Sequence, residues 1–154
     1  MAIYKIKYKR EKVSDIIPLP VSSAKEAVDY LMNNCYDKDE MWREKVFAIF
    51  LNNKCTPIGH IVISIGGFDS ADIDKRLIVK GALDSFATGV VLSHNHPSGD
   101  SRPSSNDIKL TKELKNALSV FDITLVDHIV IGDGEYFSFA DEVVKKNRKK
   151  KKAS

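Results

Sequence analysis

Residues 89–107 read GVVLSHNHPSGDSRPSSND. The apolar run from Gly89 to Leu92 leads through Ser93 into His94-Asn95-His96. Alternate residues of a strand share a face, so a strand ending here aims both imidazoles the same way. Pro97, Gly99 and Pro103 then stop a strand from continuing and a helix from starting early, which makes 97–103 a tight turn. Ser104 follows as a helix N-cap. Asp107 takes the third helical position, where a carboxylate shares the capping and meets the positive end of the helix dipole.

Two imidazoles and one carboxylate are a catalytic ligand set. Structural zinc sites are filled by four protein ligands, whereas hydrolytic ones keep a position open for water. The spacing therefore predicts Zn2+ on His94, His96 and Asp107, with a bound water brought to a pKa of about 7. Ser104 is the expected donor to a carbonyl oxygen as it gains charge, helped by the helix N-terminus. A carboxylate outside the ligand set should move the proton of the water, and Glu40, Glu44, Glu113 and Glu135 are the candidates. Ser93, Asn95, Ser98 and Arg102 are read as loop residues that line the cleft. His60 and His128 are read as structural histidines, His128 as support for the site at most. The letters HNH at 94–96 do not make the longer nuclease element of that name, and the zincin H-E-x-x-H and the deaminase H-x-E with P-C-x-x-C are both missing.

Working outward, Ile3 to Lys9 alternates like an edge strand, and Pro18 and Pro20 end it. Ser23 and Glu26 predict a capping box for a helix with Ala24, Ala27, Val28, Leu31, Met32 and Cys35 on its apolar stripe. Val46–Leu51 and Pro57–Ile65 read as a hairpin across Asn52-Asn53-Lys54. From Asp72 to Phe86 the positions Ile73, Leu77, Ile78, Ala82, Leu83 and Phe86 recur at helical spacing, with Gly81 inside the run. A further helix is expected from Ser104 to Phe121 on Leu110, Leu114, Ala117, Leu118 and Phe121. Strands over Ile123–Ile131 and Tyr136–Phe139 pair across a Gly132-Asp133-Gly134-Glu135 turn. These elements predict an α/β fold with a mixed, largely antiparallel sheet and helices on both faces.

The spacing H-x-H, seven residues, S, two residues, D resembles the signature of the JAMM (MPN+, JAB domain) metalloproteases. The fuller string from Ser93 to Asp107 is similar to the RadC branch. The likeness continues in Val126-Asp127-His128-Ile129-Val130-Ile131-Gly132, in Tyr136 to Ala140 and in Glu44 to Asn52, and spans roughly 22–142. It implies a layered α/β/α fold, zinc-dependent hydrolysis of a peptide or isopeptide bond, and Glu44 as the catalytic base. Longer RadC proteins carry a helix-hairpin-helix module ahead of this domain. The residues before Glu44 are too few for one, so a catalytic domain alone is expected, and a DNA-repair role through that module is not.

The 154 residues suit one domain, read as 1–144, followed by a basic tail at 145–154. Of 24 Lys and Arg, seven lie in 145–152, which leaves 17 against 21 acids in the rest of the chain. That tail is expected to be solvated and to attract nucleic acid without sequence preference. The alternative function is accordingly a DNA- or RNA-associated repair or mobile-element accessory protein that binds through the tail. With no run of membrane-spanning length and no apolar leader in the sequence, a cytoplasmic protein without a membrane partner is expected. Cys35 and Cys55 lack metal spacing and are read as reduced and packed.

Overall fold

The structure, a computed structural model, describes residues 18–66 and 73–142. The strand expected over Ile3 to Lys9 and the basic run at 145–154 lie outside the described residues. Strands β1 (Lys45–Leu51), β2 (Pro57–Ile65), β3 (Gly89–Asn95), β4 (Thr124–Ile131) and β5 (Tyr136–Ser138) form one sheet in the order β2-β1-β3-β4-β5. β1 is antiparallel to both β2 and β3, β4 is antiparallel to β5, and β3 alone runs parallel to its neighbour β4. This is the mixed, largely antiparallel sheet that the sequence predicts.

β1 and β3 are buried along their whole lengths, which explains why both read as continuous apolar runs rather than alternating ones. Their two faces enter different cores. Val46, Ala48, Phe50, Val90 and Leu92 pack with Ile78 and Ala82 of α2 (Lys75–Ser85) and with Leu114 and Leu118 of α3 (Ser105–Ser119). On the opposite face, Phe47, Ile49, Leu51, Val91 and Ile129 meet Ala27 and Leu31 of α1 (Ala24–Asn34). Burying each Leu or Ile stabilises the fold by about 1.5–3 kcal/mol.

The parallel pair fixes where the site sits. A parallel connection needs a crossover, and α3 is that crossover, so its N-terminus returns beside the C-terminal end of β3. That end carries His94.

Three local expectations are corrected. Ser23 caps α1 by accepting from Glu26 N, but the Glu26 carboxylate turns to Ser22 N at 2.7 Å and Ser22 Oγ at 2.6 Å, so the box closes on Ser22 instead of Ser23. In α2, Leu77, Leu83 and Phe86 are 45%, 44% and 82% exposed, because an eleven-residue helix lying flat on the sheet buries only the strip of Ile78 and Ala82. Phe121 is 49% exposed because α3 ends at Ser119 and Phe121 leaves its periodic face. Gly81 also has a packing reason: a Cβ there would stand 2.4 Å from the Phe50 ring.

Candidate metal centre

His94 lies in β3 and is fully buried. It alternates with Val90 and Leu92 and therefore points to the α3 side of the sheet. His96 stands just beyond the strand, and its backbone N–H donates to Ile131 O at 2.9 Å, which carries the pairing with β4 past Asn95. Asp107, in the first turn of α3, faces both. His94 Nε2 is 3.0 Å from His96 Nε2 and 3.2 Å from Asp107 Oδ1, and His96 Nε2 is 3.5 Å from Asp107 Oδ2. These three residues form a group that could hold a metal ion.

Ser104 is the N-cap of α3 and completes the capping box that the sequence predicts. Asp107 Oδ2 accepts from Ser104 N at 2.7 Å and from Ser104 Oγ at 2.6 Å, while Asp107 N donates back to Ser104 Oγ at 3.2 Å. Burial pushes the Asp107 carboxyl up, but the adjacent His94 ring and the bonds from Ser104 outweigh it and hold the group well below the usual carboxylate range. It is an anion near neutral pH.

Each imidazole is held from behind. His96 Nδ1 is 2.7 Å from Asp100 O, and His94 Nδ1 is 2.9 Å from His128 Nε2. Asp100 is itself fixed by Arg102, whose bonds hold its carboxyl down at about 2.

Glu44 immediately precedes β1, and its carbonyl accepts from Gly66 N at 2.8 Å. The β1–β3 register pairs Val46 with His94, so Glu44, two residues earlier, falls on the same face at the level of His96. Asn95, between the two histidines, ties that approach down. Its Oδ1 accepts from Lys45 N at 2.8 Å, and its Nδ2 donates to Met41 O at 2.9 Å and Arg43 O at 2.8 Å. The other candidate carboxylates are engaged differently. Glu40 pairs with Lys45, Glu113 pairs with Lys75 at 2.7 Å, and Glu135 accepts from Ser101 Oγ at 2.9 Å.

The model of the RadC-like JAB domain family matches residues 21–144, across the whole of this site. The chain belongs to that family. Its relatives include a UPF0758 protein of Flavobacterium johnsoniae, 36% identical over 135 residues, which make up 87% of this chain and 58% of the relative. A UPF0758 protein of Chlorobaculum parvum is 32% identical over 87% of this chain and 59% of its own length. One of Vibrio atlanticus is 42% identical over 99 residues, or 64% of this chain and 44% of the relative. The chain thus spans about half the length of the curated relatives it matches.

The RadC-like domain opens a cleft of about 940 Å³ beside His96, lined by Met32, Met41, Trp42, Pro97, Asp100 and Glu135 among others. Of the residues expected to line it, Ser98 does. Ser93 and Asn95 do not: both belong to β3 and are fully buried, and Ser93 Oγ sits 3.0 Å from Tyr36 Oη on the α1 side. Arg102 is exposed and pairs with Asp100. His60 Nδ1 lies 3.1 Å from Tyr30 Oη. His128 is fully buried directly behind His94, the supporting place at most that the sequence allows it. Burial, and after it the neighbouring His94, lowers its pKa to about 3. Cys35 and Cys55 are free thiols, with burial pushing Cys35 up to about 12. Among the described residues no helix is long and apolar enough to cross a membrane.

Proposed function

We propose that this RadC-like domain is a zinc-dependent peptidase or isopeptidase. The observation that carries the reading is the spacing of three ligand atoms. A tetrahedral zinc with bonds of about 2.0–2.1 Å sets its ligand atoms about 3.3 Å apart. The separations here are 3.0, 3.2 and 3.5 Å. A carbonyl oxygen only accepts, so the contact with Asp100 O puts the His96 proton on Nδ1 and leaves Nε2 with a bare lone pair. A bare nitrogen beside a permanent carboxylate calls for a cation. Among the described residues no cysteine joins this group, and imidazole with carboxylate suits zinc.

His94, His96 and Asp107 would hold the ion, whose contribution when bound is a water acidic enough to act as nucleophile near neutral pH. Glu44 would hold the proton given up by the attacking water and pass it to the leaving amine. The support for Glu44 over the alternatives is its register beside His96. Ser104 turns its hydroxyl proton from Asp107 Oδ2 to the substrate carbonyl oxygen as charge builds there. Asp107 Oδ2 keeps the Ser104 amide at 2.7 Å when it does so, which preserves the carboxylate's orientation. The cleft beside His96 receives the polypeptide. The test is cleavage of a peptide library and of lysine-linked isopeptides by wild-type protein, with and without chelator. Chelator-sensitive cleavage supports the reading, and cleavage that survives both chelator and His94→Ala overturns it.

A second reading rests on the seven basic residues of 145–152, set against a net acidic remainder. Such a segment binds nucleic acid by releasing counterions and reads no bases. It is compatible with a repair or mobile-element accessory role, and with the enzyme acting on proteins located there.

A further inference from the structure

We infer that Thr111 and His128 are positioning residues that set which nitrogen of His94 carries its proton, and so present Nε2 of His94 as a metal ligand. The inference rests on the reading of His94, His96 and Asp107 as a metal site.

Thr111, His128 and His94 form a buried chain of hydrogen bonds in which each proton has one place to go. Thr111 Oγ1 lies 2.6 Å from the backbone oxygen of Asp107, one turn earlier in α3. A carbonyl oxygen has no proton to give, so the single hydroxyl proton of Thr111 goes there. Toward His128, whose Nδ1 is also 2.6 Å away, Thr111 is left only as an acceptor, and Nδ1 of His128 must carry a hydrogen. His128 is fully buried, stacks on the Phe139 ring at 4.9 Å and an interplanar angle of 6°, and among the described residues has no carboxylate at hydrogen-bond distance from either nitrogen. It is therefore neutral, with one ring proton, and its Nε2 is an acceptor. That acceptor faces His94 Nδ1 at 2.9 Å, so the His94 proton sits on Nδ1. Nε2 of His94 is bare and looks at His96 and Asp107.

His96 reaches the same state by a shorter route, through the Asp100 carbonyl. The two ligand imidazoles are thus set independently, one by a loop backbone and one by a side-chain relay that ends on α3. Because that relay closes on Asp107 O, the helix that supplies the carboxylate also fixes the tautomer of the histidine across from it. A hydrogen bond behind a ligating histidine of this kind contributes about 10- to 100-fold in metal affinity.

The test pairs zinc affinity, measured by competition with a chromophoric chelator, with long-range nitrogen-15 spectra of the histidine rings. Thr111→Val keeps the shape of the side chain and removes both the donor and the acceptor; it should bind zinc about 10- to 100-fold more weakly. Thr111→Ser restores the hydroxyl and should return the affinity to near the wild-type value. In wild-type protein without metal, the spectra should show His128 protonated on Nδ1. A Thr111→Val variant that binds zinc like wild type, while His94→Ala does not, leaves the metal site standing and overturns the relay. The spectra keep the two questions apart even if a variant folds poorly. A proton on Nε2 of His128 in the wild-type protein overturns the relay, whatever the zinc affinity.

Discussion

Gly132→Ala should weaken zinc binding without touching any proposed ligand. Gly132 follows β4, and a Cβ built on it would stand 2.4 Å from Gly99 O, 2.9 Å from Ser101 N and 3.1 Å from Ser101 Cβ. Two of these contacts are with backbone, so no side chain can swing aside and the 97–103 loop itself must retreat by roughly half an ångström to an ångström. The loop is fastened at this spot by Asp133 N donating to Gly99 O at 2.8 Å and by Ser101 Oγ donating to Glu135 Oε1 at 2.9 Å. Its retreat draws the Asp100 carbonyl away from His96 Nδ1, now 2.7 Å distant. Overpacking of this kind costs about 1–3 kcal/mol, or roughly 3–12 °C in Tm for a domain of this size. Loss of the bond behind His96 should lower zinc affinity about 10- to 100-fold. The assay is chelator competition together with thermal unfolding of the metal-free protein. Gly59→Ala serves as control, since nothing lies within 4 Å of its added Cβ. A Gly132→Ala protein with wild-type Tm and wild-type zinc affinity would refute the idea that this close approach holds His96 in place.

Glu44→Gln should keep fold and zinc but abolish hydrolysis, because an amide cannot carry the proton; turnover at the wild-type rate would exclude Glu44 as the base, and Glu135→Gln then becomes the variant to assay. Ser104→Ala should lower turnover by about a hundredfold to a thousandfold through the lost oxyanion donor, and should also cost about 1 kcal/mol of stability as the α3 cap is lost, read from denaturant unfolding. A Ser104→Ala protein with unchanged turnover would confine the residue to its capping role. Removing residues 145–154 should leave zinc content and cleavage intact while weakening nucleic-acid binding and flattening its salt dependence. Equal slopes of affinity against salt for the two lengths would show that the tail does not bind.

The sequence carries the strand–turn–helix that builds the metal centre because its signals are local. Two histidines at strand spacing, two prolines, and a serine three residues before an aspartate each constrain the backbone within a turn of themselves. The limits of β2 at Pro57 and Ile65 are equally local, set by the turn before them and the glycine after. His128 reads as no more than a structural or supporting histidine because its contact with His94 depends on β4 lying beside β3, which brings together two rings 34 residues apart in the chain. Thr111 carries no signal of its own, being one threonine on the inner side of a helix. Asn95 reads as a loop residue because it sits between the two ligands, yet its side chain fastens the segment that carries Glu44 to the end of β3. Exposure of Leu83, Phe86 and Phe121 escaped periodicity for a different reason: helical spacing predicts a face, whereas the end of the helix and the width of the sheet decide how much of that face is covered.

Zinc K-edge X-ray absorption on protein loaded with one equivalent of zinc reads the ligand set itself. A four-coordinate ion is expected, with nitrogen and oxygen neighbours at about 2.0–2.1 Å, an outer-shell pattern of two imidazoles, and loss of the bound ion in His94→Ala and Asp107→Ala. Wild-type protein that retains no zinc, or a spectrum dominated by sulfur at about 2.3 Å from Cys35 or Cys55, would contradict it.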